Sequence, residues 1–166
     1  MREDTQHGPV TISDLREVPH FADDVAERIW RAWWKDRASL ESVIVHVRSA
    51  LQANDLPRIV VAHREALFVG TSSVIASDLP ERPGLSPWIA SIWVDPPFRR
   101  AGIASDLMEC AARSAASDKY ARVYLCAKDH LRAFYVTRGW QLLESGVGNR
   151  MLDVFAKDVA SGGHAP

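Results

Sequence analysis

The sequence predicts an α/β domain in which helices cover a central, mostly antiparallel sheet, giving three layers. Three observations support this prediction. β-rich runs recur along the 166 residues, two segments with helical spacing follow the first run, and a third helical segment joins two strands in mid-chain. The predicted order is β-α-α-β-β-β-α-β-α-β-β, with one parallel pair formed by the fourth and fifth strands. We expect one domain over 1–166, with flexible ends at 1–8 and 158–166.

The first half of the chain supplies three strands and two helices. The run 10–14 is short and β-branched, which is typical of a strand. Apolar residues then recur at helical spacing after Pro19 and again after Ser39, a candidate N-cap. The β-rich runs 58–62 and 67–75 are separated by a short polar segment, which predicts an antiparallel hairpin.

The second half contains a strand–helix–strand unit. The segment 79–87 is rich in Pro and Gly and predicts a long loop before a buried strand at 88–94. An apolar stripe from Ile103 to about Ser117 predicts a helix, which leads to a strand at 122–126. Such a crossover joins parallel strands. Three short elements are predicted to follow: a helix from Asp129 and strands at 140–144 and 150–155.

Composition excludes several classes of function. Lys and Arg number 20 and Asp and Glu 21, so the net charge of −1 argues against nucleic acid or an anionic membrane as the main partner. No stretch approaches the roughly 20 apolar residues of a membrane span, and the first residues lack an apolar core, so we expect a cytoplasmic protein. Cys110 and Cys126 have no disulfide-framework or metal-site spacing, which predicts two reduced thiols and no metal.

A candidate anion-binding loop lies between the strand 88–94 and the next helix. The first N–H groups of a helix lack intrahelical partners and carry the positive end of its dipole, so they favour phosphate oxygens. Gly102, just before this helix, has no Cβ to hold a phosphate away, and Arg99 and Arg100 add positive charge. The loop lacks the glycines of a P-loop or a dinucleotide fingerprint. Small or adjacent residues complete the predicted binding loop: Ala101, Ile103, Ala104 and Ser105.

Two motifs, the first in the loop before the mid-chain helix and the second after the fifth strand, resemble those of the GCN5-related N-acetyltransferases, the GNAT family. Arg99-x-x-Gly102-x-Ala104 is similar to the family's R/Q-x-x-G-x-G/A acetyl-CoA motif, and Phe134-Tyr-x-x-x-Gly-Trp140 to its F/L-Y-x-x-x-G-F/Y element. The predicted order of elements is also the family's topology, so the resemblance covers nearly the whole chain. It implies an N-acetyltransferase that uses acetyl-CoA as cosubstrate. A primary amine would attack the acetyl carbonyl of acetyl-CoA directly, without an acyl-enzyme intermediate. It also allows a homodimer.

The resemblance implies roles for further residues. Tyr135 would be the general acid for the departing thiolate, since a phenol with a pKa of about 10 can protonate a thiolate whose acid has a pKa of about 8.5. Alternatively, Tyr135 packs its helix on the sheet with the hydroxyl bonded to backbone. Trp93 and Val94 would contact the pantetheine arm, with a backbone N–H around Val94 facing the acetyl oxygen, or would be plain strand core. His130 stands where many relatives carry a cofactor-contacting Asn, and is otherwise a surface residue.

The general base is where the chain departs from the family pattern. Many relatives carry Glu or Asp early in the fourth strand, where this chain has Ala90 and Ser91. We leave the base unassigned among four alternatives: His46, Glu65, Asp78 and Glu81. At pH 7 an α-amine with a pKa near 8 is about one tenth deprotonated, whereas a lysine-like amine near 10.4 is free only about four times in 10⁴. A weak base therefore favours an acceptor of low pKa.

The acceptor stays open among a peptide N-terminus, a small amine or polyamine, and an amino-sugar antibiotic. Trp30, Trp33 and Trp34 cluster on the first helix, which walls the acceptor site in the family. We expect two of them in the core and Trp34 exposed at that site, with Glu81 of the loop as a second candidate contact. The absent strand acid also leaves the alternative of a non-catalytic acyl-CoA-binding or regulatory module. A purely structural α/β domain is the third possibility.

Overall fold

Seven strands form a single sheet in the computed structural model, which describes residues 8–117 and 120–159. Their order across the sheet is β1-β2-β3-β4-β5-β7-β6, and only β4 and β5 are parallel neighbours. The strands are β1 Thr11–Asp14, β2 Arg58–Arg64, β3 Leu67–Ile75, β4 Trp88–Val94, β5 Arg122–Ala127, β6 Gln141–Val147 and β7 Leu152–Asp158. The helices are α1 Ala22–Ile29, α2 Leu40–Ser49, α3 Ile103–Ser117 and α4 Arg132–Val136. The predicted fold class and the predicted order of elements are confirmed.

One face of the sheet is covered by α3 and α4. The apolar stripe of α3 is buried, with Leu107 and Ala111 fully inaccessible to solvent. The same core cluster contains Ile89 of β4, Leu125 of β5 and Phe155 of β7. Burying this stripe against strands on both sides of the parallel pair stabilises the position of α3, and with it the loop that precedes the helix.

The opposite face carries α1 and α2, and here one sequence prediction is wrong. The helical path continues past α1 as a π-helical turn over Trp30–Trp34. Such a turn contains an extra residue and rotates the following side chains off the apolar stripe. Trp30 stays half-buried in the core beneath α1 and α2, but Trp33 is 46% exposed, almost as much as Trp34 at 43%. Only one of the three tryptophans therefore packs in the core.

Element ends differ from the predictions by a few residues. The short helix after β5 begins with a 3₁₀ turn over Asp129–Leu131, which is wound more tightly than the α-helix α4 that follows it. The last strand runs to Asp158, and the Val159 N–H then bonds to the Ala121 carbonyl at 2.9 Å. Asp158, which was expected to be flexible, is therefore part of a strand. The remaining expected flexible residues, 1–7 and 160–166, lie outside the described residues.

The parallel strands β4 and β5 separate almost immediately. Their ladder contains the single pair Trp88 and Tyr124. On its other side, β4 contains a bulge in which Ser91 and Ile92 together oppose Ser72 of β3, and Ser91 adopts a φ of +53°. The bulge increases the local twist, so the second half of β4 is not paired with β5. The resulting gap lies in the centre of the sheet.

Candidate active site

A cavity of about 440 Å³ opens beside the second half of β4, at the N-terminus of α3. Eight of the ten residues predicted to contact the cofactor line it: Trp93, Val94, Arg99, Arg100, Gly102, Ile103, Ala104 and Ser105. The other two, Ala101 and His130, are exposed and do not line the cavity. The structure thus brings the strand and the predicted anion loop together around one space.

The loop before α3 presents backbone amides to this cavity. The Asp106 N–H donates to the Gly102 carbonyl at 3.1 Å, so the helical hydrogen bonds begin at Gly102 and the first amides of the helix have no intrahelical acceptor. Gly102 has a φ of +79°, a conformation that favours glycine. A Cβ placed on Gly102 would meet no atom within 4 Å. The amides therefore face open space suited to a bulky anion.

Three guanidinium groups surround these amides. Arg99 stacks over the Trp93 ring at 4.7 Å and donates from Nε to the Val94 carbonyl at 2.8 Å. Arg138, which sequence analysis missed, donates from Nε to the Ser105 hydroxyl at 2.6 Å. Together with Arg100 they add three positive charges to a helix N-terminus, an arrangement that favours phosphate groups.

Arg138 and Phe134 form the α4 side of the cavity. The Arg138 guanidinium lies 3.6 Å from the centre of the Phe134 ring and donates to the Phe134 carbonyl at 3.0 Å. Both residues belong to the second sequence motif, which was the available signal. The sequence did not show that α4 directs them toward the loop before α3.

Val94 turns its backbone toward the gap between β4 and β5. The next residue, Asp95, donates its N–H to the Val69 carbonyl on β3 at 2.8 Å. Neighbouring residues of an antiparallel strand direct their backbone groups to opposite sides, so the Val94 N–H and carbonyl point away from β3. The bond from Arg99 to the Val94 carbonyl agrees with this direction. The Val94 N–H is therefore available to a ligand in the gap.

Tyr135 is held on α4, beneath the gap. Its ring contacts Phe134 and Phe155, with centroid distances of 5.1 and 5.3 Å, and the residue is 9% exposed. No residue within 8–117 or 120–159 hydrogen-bonds its hydroxyl, in contrast to the backbone-bonded alternative. Burial, followed by the nearby Cys126, raises the pKa of Tyr135. The phenol is therefore protonated at neutral pH, although the residue does not line the 440 Å³ cavity.

An ion pair fixes the orientation of α4. Arg132, at the start of this helix, donates to both carboxylate oxygens of Asp153 at 2.7 and 3.0 Å. Asp153 is 1% exposed and lies on β7. A bidentate pair of this kind constrains direction as well as distance. The pair therefore helps to position Tyr135 three residues further along α4.

Cys126 and Asp78 form a pair beside the same gap. The Cys126 thiol donates to Asp78 Oδ2 at 3.4 Å. Burial, and next the adjacent Asp78 carboxylate, raise the pKa of Cys126 to about 12. Burial also raises the pKa of Asp78, although the hydrogen bond from Cys126 and the charge of Arg150 oppose that effect. A thiol that stays protonated is a poor nucleophile, which supports the interpretation of Cys126 as a residue that forms no acyl-enzyme.

The chain also matches the model of a known protein family. The family model described as acetyltransferase (GNAT) domain matches residues 55–142, which is more than half of the chain. The chain belongs to the GNAT acetyltransferase family. A comparison with curated protein sequences found no match.

Solved structures share the GNAT fold at low sequence identity. An aminoglycoside 6'-N-acetyltransferase in complex with coenzyme A superposes with a TM-score of 0.70 at 15% identity, covering 89% of this chain and 96% of that one. A protein from Acinetobacter baylyi named as an acetyltransferase gives 0.72 at 15% identity, covering 97% and 98%. One from Salmonella typhimurium, bound to acetyl-CoA, gives 0.64 at 13% identity, covering 97% and 98%. These likenesses concern the fold.

The GNAT chain carries its predicted acceptor contacts on two separate elements. Trp34 lies in the exposed π-helical turn after α1, and its neighbour Trp33 meets Trp93 edge to face at 6.3 Å. Glu81 lies against Gly148 of the turn between β6 and β7. Arg82 binds Glu144 on β6 through two hydrogen bonds of 2.6 and 2.8 Å, which holds the loop 79–87 in place. The described helices include none with the length and apolar character to cross a membrane.

Proposed function

We propose that this GNAT-family protein transfers the acetyl group of acetyl-CoA to a primary amine within a ternary complex. Two observations carry the proposal together: the cationic cavity at the N-terminus of α3, and the gap between β4 and β5, since the second half of β4 borders both. Coenzyme A offers a pyrophosphate for the first feature and an extended thioester arm for the second. Structures with the same fold are described in complex with coenzyme A or acetyl-CoA, which supports this choice of cosubstrate.

In this proposal the pyrophosphate binds the amides that follow Gly102 and the guanidinium groups of Arg99, Arg100 and Arg138. Phosphate at a helix N-terminus gains both hydrogen bonds and the favourable end of the helix dipole. The pantetheine arm then passes Trp93 and Val94. The acetyl carbonyl would lie near the Val94 N–H, which points into the gap.

The transfer itself needs no covalent enzyme intermediate. The amine nitrogen attacks the acetyl carbon, and the Val94 N–H donates to the oxygen on which negative charge develops. The C–S bond then breaks, and the sulfur accepts the proton of Tyr135. Because burial and Cys126 raise the pKa of Tyr135, the phenol holds its proton until the thiolate appears.

Substitution of Tyr135 tests this mechanism. Free thiol released from acetyl-CoA is measured with a peptide N-terminus, a polyamine, an aminoglycoside and hydroxylamine as acceptors. Tyr135→Phe is expected to reduce kcat about 10²-fold to 10⁴-fold while the Kd of acetyl-CoA stays unchanged, because general acid catalysis contributes that range. Tyr120→Phe is the matched control, since the Tyr120 hydroxyl bonds Asp55 at 2.8 Å, away from the cavity.

A second candidate function is a non-catalytic acyl-CoA-binding module. It is favoured by Ala90 and Ser91, which stand where many relatives carry an acid. This candidate predicts that wild-type protein binds acetyl-CoA but releases no thiol with any acceptor of the panel. Turnover that is lost in Tyr135→Phe and retained in Tyr120→Phe would exclude it.

A further inference from the structure

A carboxylate lies beside the gap where the family's usual acid is missing. Trp88 and Tyr124 form the parallel pair of β4 and β5, and Ala90 and Cys126 each lie two residues beyond it, on the two strands that border the gap. Side chains two apart share a face of a sheet, which places both residues on the face of Trp88 and Tyr124. The Cys126 thiol contacts Asp78 at 3.4 Å. Asp78 thus brings a carboxylate to the β5 side of the gap, whereas Ala90 on the β4 side supplies none.

The surrounding chain holds Asp78 in this position. Asp78 follows β3, and its neighbour Leu79 is 1% exposed. Leu79 packs with Trp88 and Val154 in a small core beneath the loop 79–87. An anchored neighbour reduces the freedom of the Asp78 backbone, as a positioned catalytic group requires.

Within the described parts of the chain, few charged or titratable groups face the Asp78 carboxylate. From β5 it meets the Cys126 thiol, and Arg150 approaches from the turn between β6 and β7. Tyr135 of α4 lies beside Cys126. Burial raises the pKa of Asp78, which makes the carboxylate a stronger base than an exposed one. Among the described residues, the Asp78 carboxylate is therefore influenced by the positive charge of Arg150 and by the Cys126 thiol, which remains protonated at neutral pH.

We propose that Asp78 is the general base that removes a proton from the acceptor ammonium ion. This assignment rests on the proposed acetyl transfer. The alternatives are less well placed: Glu65 and His46 are exposed, on the turn between β2 and β3 and on α2, and Glu81 packs against Gly148. Among the four candidates from the sequence, Asp78 is the one that contacts a residue of β5 at the gap.

The protons of the reaction balance with this assignment. An N–H bond of the ammonium ion breaks and an O–H bond forms on Asp78, leaving a nitrogen lone pair. The lone pair forms the C–N bond, the C–S bond breaks, and Tyr135 protonates the departing sulfur. A second N–H proton then returns to the Tyr135 oxygen, and Asp78 releases its proton to water. The products are the amide, coenzyme A thiol and one free proton.

A base at this position changes the expected acceptor. Without a general base, only the unprotonated fraction of an amine can react at neutral pH, and this favours acceptors of low pKa. A positioned base typically contributes about 10²-fold to 10⁴-fold, which offsets most of the deficit of a lysine-like amine. The proposal therefore extends the acceptor class to alkyl amines that are protonated at neutral pH.

The test compares Asp78→Asn with wild type on two acceptors of different protonation state. The panel supplies the polyamine spermidine, which is protonated at pH 7, and hydroxylamine, which is not. We expect Asp78→Asn to lower kcat/KM about 10²-fold or more for spermidine and only a few-fold for hydroxylamine. The spermidine defect should also shrink as pH rises, because more of the amine is already free. Glu109→Gln, an exposed carboxylate on α3, is the matched control.

The possible outcomes distinguish a failure of the Asp78 assignment from a failure of the proposed acetyl transfer. Equal losses on both acceptors, or a spermidine defect that does not change with pH, would overturn the assignment of Asp78 while leaving the transferase proposal intact. Thermal unfolding of Asp78→Asn distinguishes a folded variant from a damaged one, and Asp78→Ser serves if the amide variant is unstable. If wild type binds acetyl-CoA but transfers to neither acceptor nor any other member of the panel, both proposals are overturned together.

Discussion

Gly102→Ala separates the conformational role of this glycine from its role in binding. Gly102 has a φ of +79°, and a new Cβ would meet nothing within 4 Å. The substitution therefore introduces backbone strain without a protein clash. A left-handed conformation costs a non-glycine residue about 1–2 kcal/mol, which corresponds to a Tm about 2–8 °C lower for a domain of this size.

The effect on binding should be larger than this strain suggests. The new Cβ projects into the cavity where the proposed pyrophosphate would contact the helix amides. Losing one hydrogen bond to a charged group costs about 1.5–3 kcal/mol, so the Kd of coenzyme A should rise about tenfold to a hundredfold. Titration calorimetry with coenzyme A measures the Kd, and thermal unfolding without ligand measures the strain.

Gly146→Ala is the matched control for this experiment. Gly146 has a φ of +67° and lies on β6, where a new Cβ would come within 3.0 Å only of the Met151 Cε at the end of an exposed side chain. Both variants should lose similar stability, but only Gly102→Ala should lose affinity. An unchanged Kd in a folded Gly102→Ala variant would refute the anion site at α3.

Four further outcomes follow from the described contacts. Arg138→Gln should raise the Kd of coenzyme A about twofold to fivefold, as expected for an exposed ion pair, and should make this Kd less dependent on salt. The same changes in Arg113→Gln, on the outer side of α3, would contradict this prediction. At pH 8 a thiol with a pKa of about 12 contains only about 10⁻⁴ thiolate, so Cys126 in a Cys110→Ser background should react slowly with iodoacetamide. Asp78→Asn should accelerate this alkylation by lowering the pKa of Cys126, and an unchanged rate would contradict the Asp78 contact. Phe155→Ala should reduce the free energy of unfolding by about 3–5 kcal/mol in denaturant titrations, because Phe155 is fully buried, and a loss below 1 kcal/mol would argue against its place in the core.

Features encoded by neighbouring residues were predictable from the sequence. The anion loop depends on Arg99, Gly102 and the first turn of α3, which are adjacent in the chain, so motif and local propensity agreed. The order of strands and helices followed from periodicity for the same reason. The structure confirms this order, and the binding of an anion by the loop stays a prediction.

Features that depend on distant pairs were not predictable. Arg138 reaches Ser105 across 33 positions, and Asp78 reaches Cys126 across 48, so neither contact has a local signal. The sequence could name Asp78 as an alternative but could not select it. Trp33 was misplaced because periodicity assumes a regular helix, and the π-helical turn breaks that assumption.

The single ladder pair between β4 and β5 also affects how the domain unfolds. Backbone hydrogen bonds hold β1–β4 together and β5–β7 together, but barely connect these two blocks of the sheet. Side chains of α3, Leu107 among them, pack against both blocks. Cooperativity between the blocks therefore depends on helix packing more than on the main chain, and weakening this helix should separate their melting transitions.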